Sequence, residues 1–195
     1  MNDLECCKLC PNNCRVNRLN GEFGSCRVGK DLKVSLYSLH KFEEPCISGI
    51  NGSGTVFFTN CNMHCMYCQN YKISQEGKGK ILRIEKLAEI FLELQEKGAH
   101  NINLVTPTPY VPQIKSAIDI AKNKGLNLPI IYNCGGYESV DTIKSLNGYI
   151  DIYLPDLKYA ENSLGFKYSK VKNYFEYATE AIKEMQKQVR RSSFR

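Results

Sequence analysis

From Gly52 onward, apolar and polar positions come in blocks whose period switches between strand and helix. Thr55-Val-Phe-Phe-Thr59 is an apolar run of strand length. Ile84, Leu87, Ala88, Phe91 and Leu94 then recur at helical spacing, and Gly98 supplies a stop. Asn101-Ile-Asn-Leu-Val105 predicts a second strand, and Ile114, Ala117, Ile118 and Ala121 a helix ending near Gly125. Leu128-Pro-Ile-Ile-Tyr132 predicts a third strand, and Val140, Ile143 and Leu146 a short helix closed by Asn147-Gly148. Tyr149-Ile-Asp-Ile-Tyr153 is the fourth strand. Val171, Tyr174, Phe175, Ala178, Ile182, Met185 and Val189 mark the apolar face of a last helix. Such a succession of βα units predicts an α/β fold with a parallel sheet and helices packed outside. In folds of that kind the C-terminal ends of the strands carry the chemistry.

Residues 1–45 follow no such pattern. They are polar, rich in cysteine and poor in apolar periodicity, so a metal is needed to hold their shape. Two parts are therefore expected: a Cys-rich metal- or cluster-binding leader over 1–45 and an α/β unit over 46–195.

Composition adds limits. With 43% hydrophobic and 24% charged residues among 195, the chain can bury one good core. The formal charge of +6 suits an anionic cofactor or partner. The basic residues are scattered, which argues against a nucleic-acid surface. The exception is Arg190-Arg191-Ser192-Ser193-Phe194-Arg195, expected to be a solvated end. MNDLECCKLC has neither a basic n-region nor an apolar core, and no apolar run is long enough to cross a bilayer. A cytoplasmic protein without membrane contact is the expectation. In that reducing compartment, 10 cysteines point to metal or cluster binding and not to disulfides.

The sharpest motif is Cys61-Asn-Met-His-Cys-Met-Tyr-Cys-Gln-Asn70, directly after the first predicted strand. Cys61, Cys65 and Cys68 are too closely spaced to spread along a rigid element and must lie on one loop around a compact object. An iron–sulfur cube wants a thiolate at each of its irons, so a set of three leaves one iron open. An open metal position marks a catalytic site. A zinc site using the same cysteines with His64 is the bland alternative, made awkward because His64 directly precedes Cys65. His64 is otherwise expected to face solvent.

CNMHCMYCQN resembles the radical S-adenosylmethionine superfamily, whose core is a partial (β/α) barrel. The resemblance implies a [4Fe-4S] cluster on Cys61, Cys65 and Cys68, with S-adenosylmethionine on the open iron. Its reductive cleavage gives a 5′-deoxyadenosyl radical that abstracts hydrogen. Glu43-Glu-Pro-Cys-Ile-Ser-Gly49 and Gly52-Ser-Gly-Thr-Val-Phe-Phe58 resemble the subgroup close to pyruvate formate-lyase activating enzymes. Further matches follow the later strands: Thr106-Pro-Thr108, Asn133-Cys-Gly-Gly136 and Asp156-Leu-Lys158. Contacts to the cofactor are thereby implied for Asn133, Asp156 and Lys158, with the Tyr67 backbone near the adenine. Thr106-Pro-Thr-Pro-Tyr110 stands where the activating enzymes have a GGE run, so Thr106 or Thr108 takes over the amino-group contact. The family core has six βα units and this pattern stops after four. The expectation is a C-terminally truncated chain, or one completed by another, with an exposed edge on its fourth strand.

Cys7-Lys-Leu-Cys10-Pro-Asn-Asn-Cys14, with Cys26 after Gly21 and Gly24, is a second thiolate set. The run CKLCPNNCRVNRLNGEFGSC resembles the leader of the same subgroup and would hold a second iron–sulfur cluster or a zinc ion. Cys6 is spare, Cys46 and Cys134 are expected to be small buried residues, and His40 and His100 surface ones. Glu138 is expected to be a helix N-terminal charge. By resemblance, the electron donor is a flavodoxin or ferredoxin and the target a glycyl position on a partner enzyme. The rival reading is a non-catalytic iron–sulfur or zinc protein, either an electron carrier or a fragment.

Overall fold

The computed structural model describes residues 3–192. Six strands form one sheet in the order β3-β1-β2-β4-β5-β6: β1 Leu32–His40, β2 Ser53–Phe58, β3 Lys80–Leu82, β4 Ile102–Val105, β5 Ile130–Cys134 and β6 Ile152–Pro155. From β2 through β6 the neighbours in the sheet are parallel. Between them run helices α1 Pro45–Ser48, α2 Tyr71–Ser74, α3 Ile84–Glu96, α4 Val111–Asn123 and α5 Val140–Ser145. After β6 come α6 Asn162–Ser169 and α7 Tyr174–Ser192. The repeated βα pattern thus builds the α/β half-barrel expected from the periodicity, with β6 at the sheet edge.

The two remaining strands, β1 and β3, were not apparent in the apolar pattern. Both are antiparallel: β1 pairs with β2, and β3 with β1. β1 buries Leu32 and Val34 and exposes Leu36 and Ser38 inside a stretch that looked like polar leader, so the boundary expected at residue 45 falls after a strand of the main sheet. Strand starts also differ from expectation. Pro129 has no N–H for the ladder, and β5 begins at Ile130, whose N–H donates to the Asp151 carboxylate at 2.8 Å. The last predicted helix starts at Tyr174 and not at Val171: the left-handed residues Lys170 (φ 57°) and Asn173 (φ 50°) separate it from α6, a helix the apolar pattern did not show. Val171 lies between the two. The side chains of the expected solvated tail at 190–195 lie outside the described residues.

Strand alternation divides the sheet into two faces. Val56, Phe58, Ile102, Leu104, Ile130 and Tyr132 pack against α3, α4 and α5 in the main core. Phe57, Val105 and Asn133, aligned by the register, face the other way and line a cavity at the C-terminal strand ends. Among the described residues, no helix is long and apolar enough to cross a membrane.

Candidate functional site

The cysteine loop begins where β2 ends. Asn60 takes a left-handed φ of 62° and turns the chain out of the strand, so that Cys61, Cys65 and Cys68 fold over the strand ends. Three segments distant in sequence then clamp the loop. The N–H groups of His64 and Met66 donate to the carbonyls of Ser169 and Tyr168, each at 2.9 Å. Asn62 donates to the Tyr137 carbonyl at 2.6 Å and accepts, through its own carbonyl, from Asn12 at 2.8 Å. Gln75 donates to the Met63 carbonyl at 3.1 Å.

His64 is held on both ring nitrogens, with Nδ1 2.8 Å from Gln75 Oε1 and Nε2 3.2 Å from Ser25 Oγ. It therefore bridges two loops instead of facing solvent, and neither nitrogen is turned towards the cysteines. The mixed zinc site with His64 loses its fourth ligand on that ground. Among the described residues no three His, Cys, Asp or Glu side chains converge on a point that a single ion would fill. The three thiols nevertheless line one cavity of about 640 Å³. A cluster needs only this, since it takes its thiolates at separated corners.

The Cys61 and Cys65 thiols are costly to ionise without a metal. Burial pushes Cys61 up to about 12, and the neighbouring cysteines add to the rise. Burial also raises Cys65, opposed by the Ser169 hydroxyl, which donates to its sulfur at 2.9 Å. That hydroxyl ends a chain: Tyr67 and Tyr159 hydroxyls are 2.6 Å apart, and Tyr159 lies 2.6 Å from Ser169 Oγ. A site that desolvates Cys61 and Cys65 side by side suits a cationic cluster that bonds their sulfurs.

The rest of the cavity wall comes from the next three strand ends. Thr106, Asn133, Asp156 and Lys158 line it, as do Tyr67 and Gly135. Asp156 and Lys158 form an ion pair. Burial pulls Lys158 down, but its hydrogen bond to Asp156 and the attraction of the thiols outweigh this and leave it raised. The cavity thus presents a carboxylate and an ammonium together, the complement of an amino-acid zwitterion.

Thr108 is elsewhere. It is buried and donates to Glu138 at 2.7 Å, so of the two candidate threonines only Thr106 borders the cavity. Thr106 pays backbone strain for its place: its φ is 59°, a region β-branched residues avoid, and its N–H donates to the Asn133 carbonyl at 3.0 Å. Thr106→Gly is accordingly expected to stabilise the fold by about 1 kcal/mol, read as a rise in melting temperature. A fall would show that the side chain is worth more than the strain.

Glu138 is not a helix N-terminal charge, because Ser139 caps α5 and Glu138 is fully buried beneath the cavity. It accepts from Thr108 and, at 3.1 Å, from Tyr132. Burial pushes its carboxyl up to about 8 against an ordinary 4.5, with the Thr108, Tyr132 and Cys134 side chains opposing the rise. The folded value lies above the unfolded one, so its stabilising contribution is complete below pH 4.5 and is lost as pH rises to about 8. Glu138→Gln is expected to flatten the stability profile across that window, most visibly in melts near pH 8. An unchanged slope would contradict the assignment.

Several positions with a part in the site carried no recognisable signal. Tyr174, from α7, places its hydroxyl 2.8 Å from the carbonyls of both Gly135 and Asp156 and accepts from the Lys158 N–H at 2.9 Å. It thereby pins the loops after β5 and β6 to each other. Met63 is 1% exposed and forms part of the cavity wall. Ser169 and Tyr159 act through the hydroxyl chain. Only the (i, i+4) spacing of Tyr174 and Ala178 hinted at burial, with nothing to say against what. Cys134 is buried as expected, whereas Cys46 is exposed on α1 and corrects that expectation. His100 is exposed, and His40 is half-buried beside Glu43 at 3.5 Å.

In the leader, Cys7, Cys10, Cys14 and Cys26 line one small cavity together with Arg18. Cys6 is not among its walls.

Comparison with known proteins agrees with this geometry. The chain is 34% identical over 179 residues to an uncharacterized protein of Methanocaldococcus jannaschii, a match covering 87% of this chain and 50% of that relative. It spans about half the length of the relative it matches. The family model for the radical SAM superfamily matches residues 55–195, from inside β2 through the cysteine loop and every later strand end that lines the cavity. A cysteine loop over the open ends of a parallel sheet is the feature that the match and the geometry share, and the chain belongs to the radical SAM superfamily.

Proposed function

We propose that Cys61, Cys65 and Cys68 hold a [4Fe-4S] cluster and that the cavity beside them binds S-adenosylmethionine in an activating-enzyme-like reaction. One observation carries the reading: the three thiols, Cys65 buried and Cys61 and Cys68 half-buried, line the same cavity at the parallel strand ends as the Asp156–Lys158 pair. The bound pair supplies reductive cleavage to a 5′-deoxyadenosyl radical, which abstracts hydrogen from a substrate. The chain's own residues bind and orient. Asp156 answers the ammonium and Lys158 the carboxylate of the amino-acid end. Thr106 offers its hydroxyl from the strained turn, Asn133 lines the floor, and Tyr67 stands at the rim for the adenine.

The resemblance to pyruvate formate-lyase activating enzymes supports a glycyl position on a partner protein as the hydrogen source and a flavodoxin or ferredoxin as electron donor. The test is product analysis. Anaerobically reconstituted chain, reduced and given S-adenosylmethionine, is expected to release 5′-deoxyadenosine. Lys158→Met is expected to raise the cofactor concentration needed for half-maximal rate by roughly tenfold or more, the worth of one charge-assisted hydrogen bond. No 5′-deoxyadenosine from protein that holds its iron would overturn the proposal.

A further inference from the structure

We infer that Cys7, Cys10, Cys14 and Cys26 are the ligands of a second metal centre, closed by thiolate on every side, with Arg18 as its built-in countercharge. The leader is wound for this purpose. Asn13 (φ 44°), Arg15 (φ 56°) and Arg27 (φ 58°) all take left-handed turns beside the cysteines. The Cys7 N–H donates to the Val16 carbonyl at 3.0 Å, and the Arg15 N–H to the Cys7 carbonyl at 2.8 Å, closing the first loop on itself. The Ser25 N–H points at Cys14 Sγ, 3.3 Å away, as backbone amides do around metal-bound thiolates. Gly24 is required there, since a Cβ would lie 2.8 Å from both Cys14 Cβ and Sγ. These turns bring four cysteines that span twenty positions of sequence around a single cavity.

Arg18 is the independent observation. It is 1% exposed and lines the same cavity. Its Nε donates to the Gly29 carbonyl at 2.8 Å and its Nη1 to the Pro109 carbonyl at 2.7 Å, while Nη2 is buried with no partner. None of the ion pairs among the described residues includes Arg18. A guanidinium buried without an anion costs several kcal/mol. Four neutral thiols give it nothing. Four thiolates around a dipositive cluster carry a net charge of about −2, and the buried cation then offsets part of it. The charge that Arg18 lacks and the charge the thiolates need are supplied by one event, metal binding.

The position of this centre gives it a second consequence. Asn12, between Cys10 and Cys14, donates to the Asn62 carbonyl, and Ser25, next to Cys26, meets His64. Asn62 and His64 both lie inside the loop that carries Cys61 and Cys65. The leader centre therefore braces the catalytic loop. With no open position, it does not bind S-adenosylmethionine itself.

The experiment uses the full chain with Cys61, Cys65 and Cys68 changed to alanine, which leaves the leader intact. The protein is purified anaerobically, and its zinc, iron and acid-labile sulfide are measured together with X-ray absorption at the metal found. About one centre per chain with an all-sulfur first shell is expected, as iron with matching sulfide, because the four sulfurs do not converge on a point that one ion would fill; zinc in its place would overturn the proposal. It is expected to persist in the same background with Cys6→Ser and to fall at least fivefold with Cys26→Ser. Arg18→Gln is expected to lower metal retention against a competing chelator while the all-sulfur shell stays. Where Cys26→Ser does not fold, the ligand shell of the folded parent decides. Less than a tenth of a centre per chain, or a shell containing nitrogen or oxygen, overturns the proposal.

Discussion

Cys65→Ala is expected to abolish cluster assembly at the catalytic loop and lower 5′-deoxyadenosine formation by at least about 100-fold, more than is usual for outer-shell changes at metal sites. Cys65 is 8% exposed, and its sulfur takes the Ser169 hydroxyl at 2.9 Å. The loop around it is fixed by backbone bonds to Tyr168 and Ser169. Removing the sulfur therefore takes away a ligand without freeing the loop to supply another. Ser169→Ala gives the contrast. It leaves the thiolate in place and deletes one hydrogen bond to it, so the cluster should assemble with an altered reduction potential. Cys46→Ser, at an exposed position, should change neither. Iron content and product yield on all three variants check the result. Equal iron in Cys65→Ala and parent would contradict the ligand assignment.

Gly136→Ala is expected to cost about 3 kcal/mol, the sum of left-handed strain and overpacking. Gly136 has φ 77°, and a Cβ there would sit 2.3 Å from the Asp156 backbone carbonyl. The glycine lets the loop after β5 touch the loop after β6, which carries Asp156 and Lys158. Backbone cannot swing aside as a side chain can, so the alanine must push the two loops apart, against the Tyr174 hydroxyl that ties them. A melting temperature lower by roughly 10 °C is expected for a chain of this size, with weaker cofactor binding. Gly125→Ala is the control, since φ there is 99° but nothing lies within 4 Å. It carries strain alone and should cost only about 1 kcal/mol. Equal losses at the two positions would show that the contact with Asp156 is not what holds the site.

The parallel part of the fold was legible because its strands are continuous apolar runs and its helices keep period. Ile84 to Leu94 gave α3 almost to the residue. β1 was hidden because a register shift between Val34 and Leu36 breaks its period: Leu32 and Val34 are buried, Leu36 is exposed, and Tyr37 and Leu39 pack on the core instead. β3, at three residues, is too short to show any period. The cysteine loop was legible from spacing alone, whereas Asp156 and Lys158 after the last strand were legible only through the resemblance to the activating enzymes. Two further roles could not be read. The positions of Thr106 and Thr108 in sequence are equivalent, and only the left-handed turn at Thr106 decides which one borders the cavity. Glu138 looked like a helix-start charge because Ser139 and the helix follow it. Its burial depends on Thr108, in the turn after β4, and on Tyr132 of β5, both of which donate to it. The leader cysteines were visible as a set, but the need for a countercharge was not, because Arg18 is one of many scattered basic residues until the fold buries it.

The most direct measurement is the electron paramagnetic resonance spectrum of the reduced, anaerobically reconstituted chain, recorded with and without S-adenosylmethionine. A four-iron signal that shifts when the cofactor is added is the expected result. The component that responds to the cofactor should be lost in Cys65→Ala and unaffected by Cys46→Ser. Spectra in which no component responds to the cofactor would contradict an open iron facing the Asp156–Lys158 cavity, and the chain would then be an electron carrier built on a radical SAM fold.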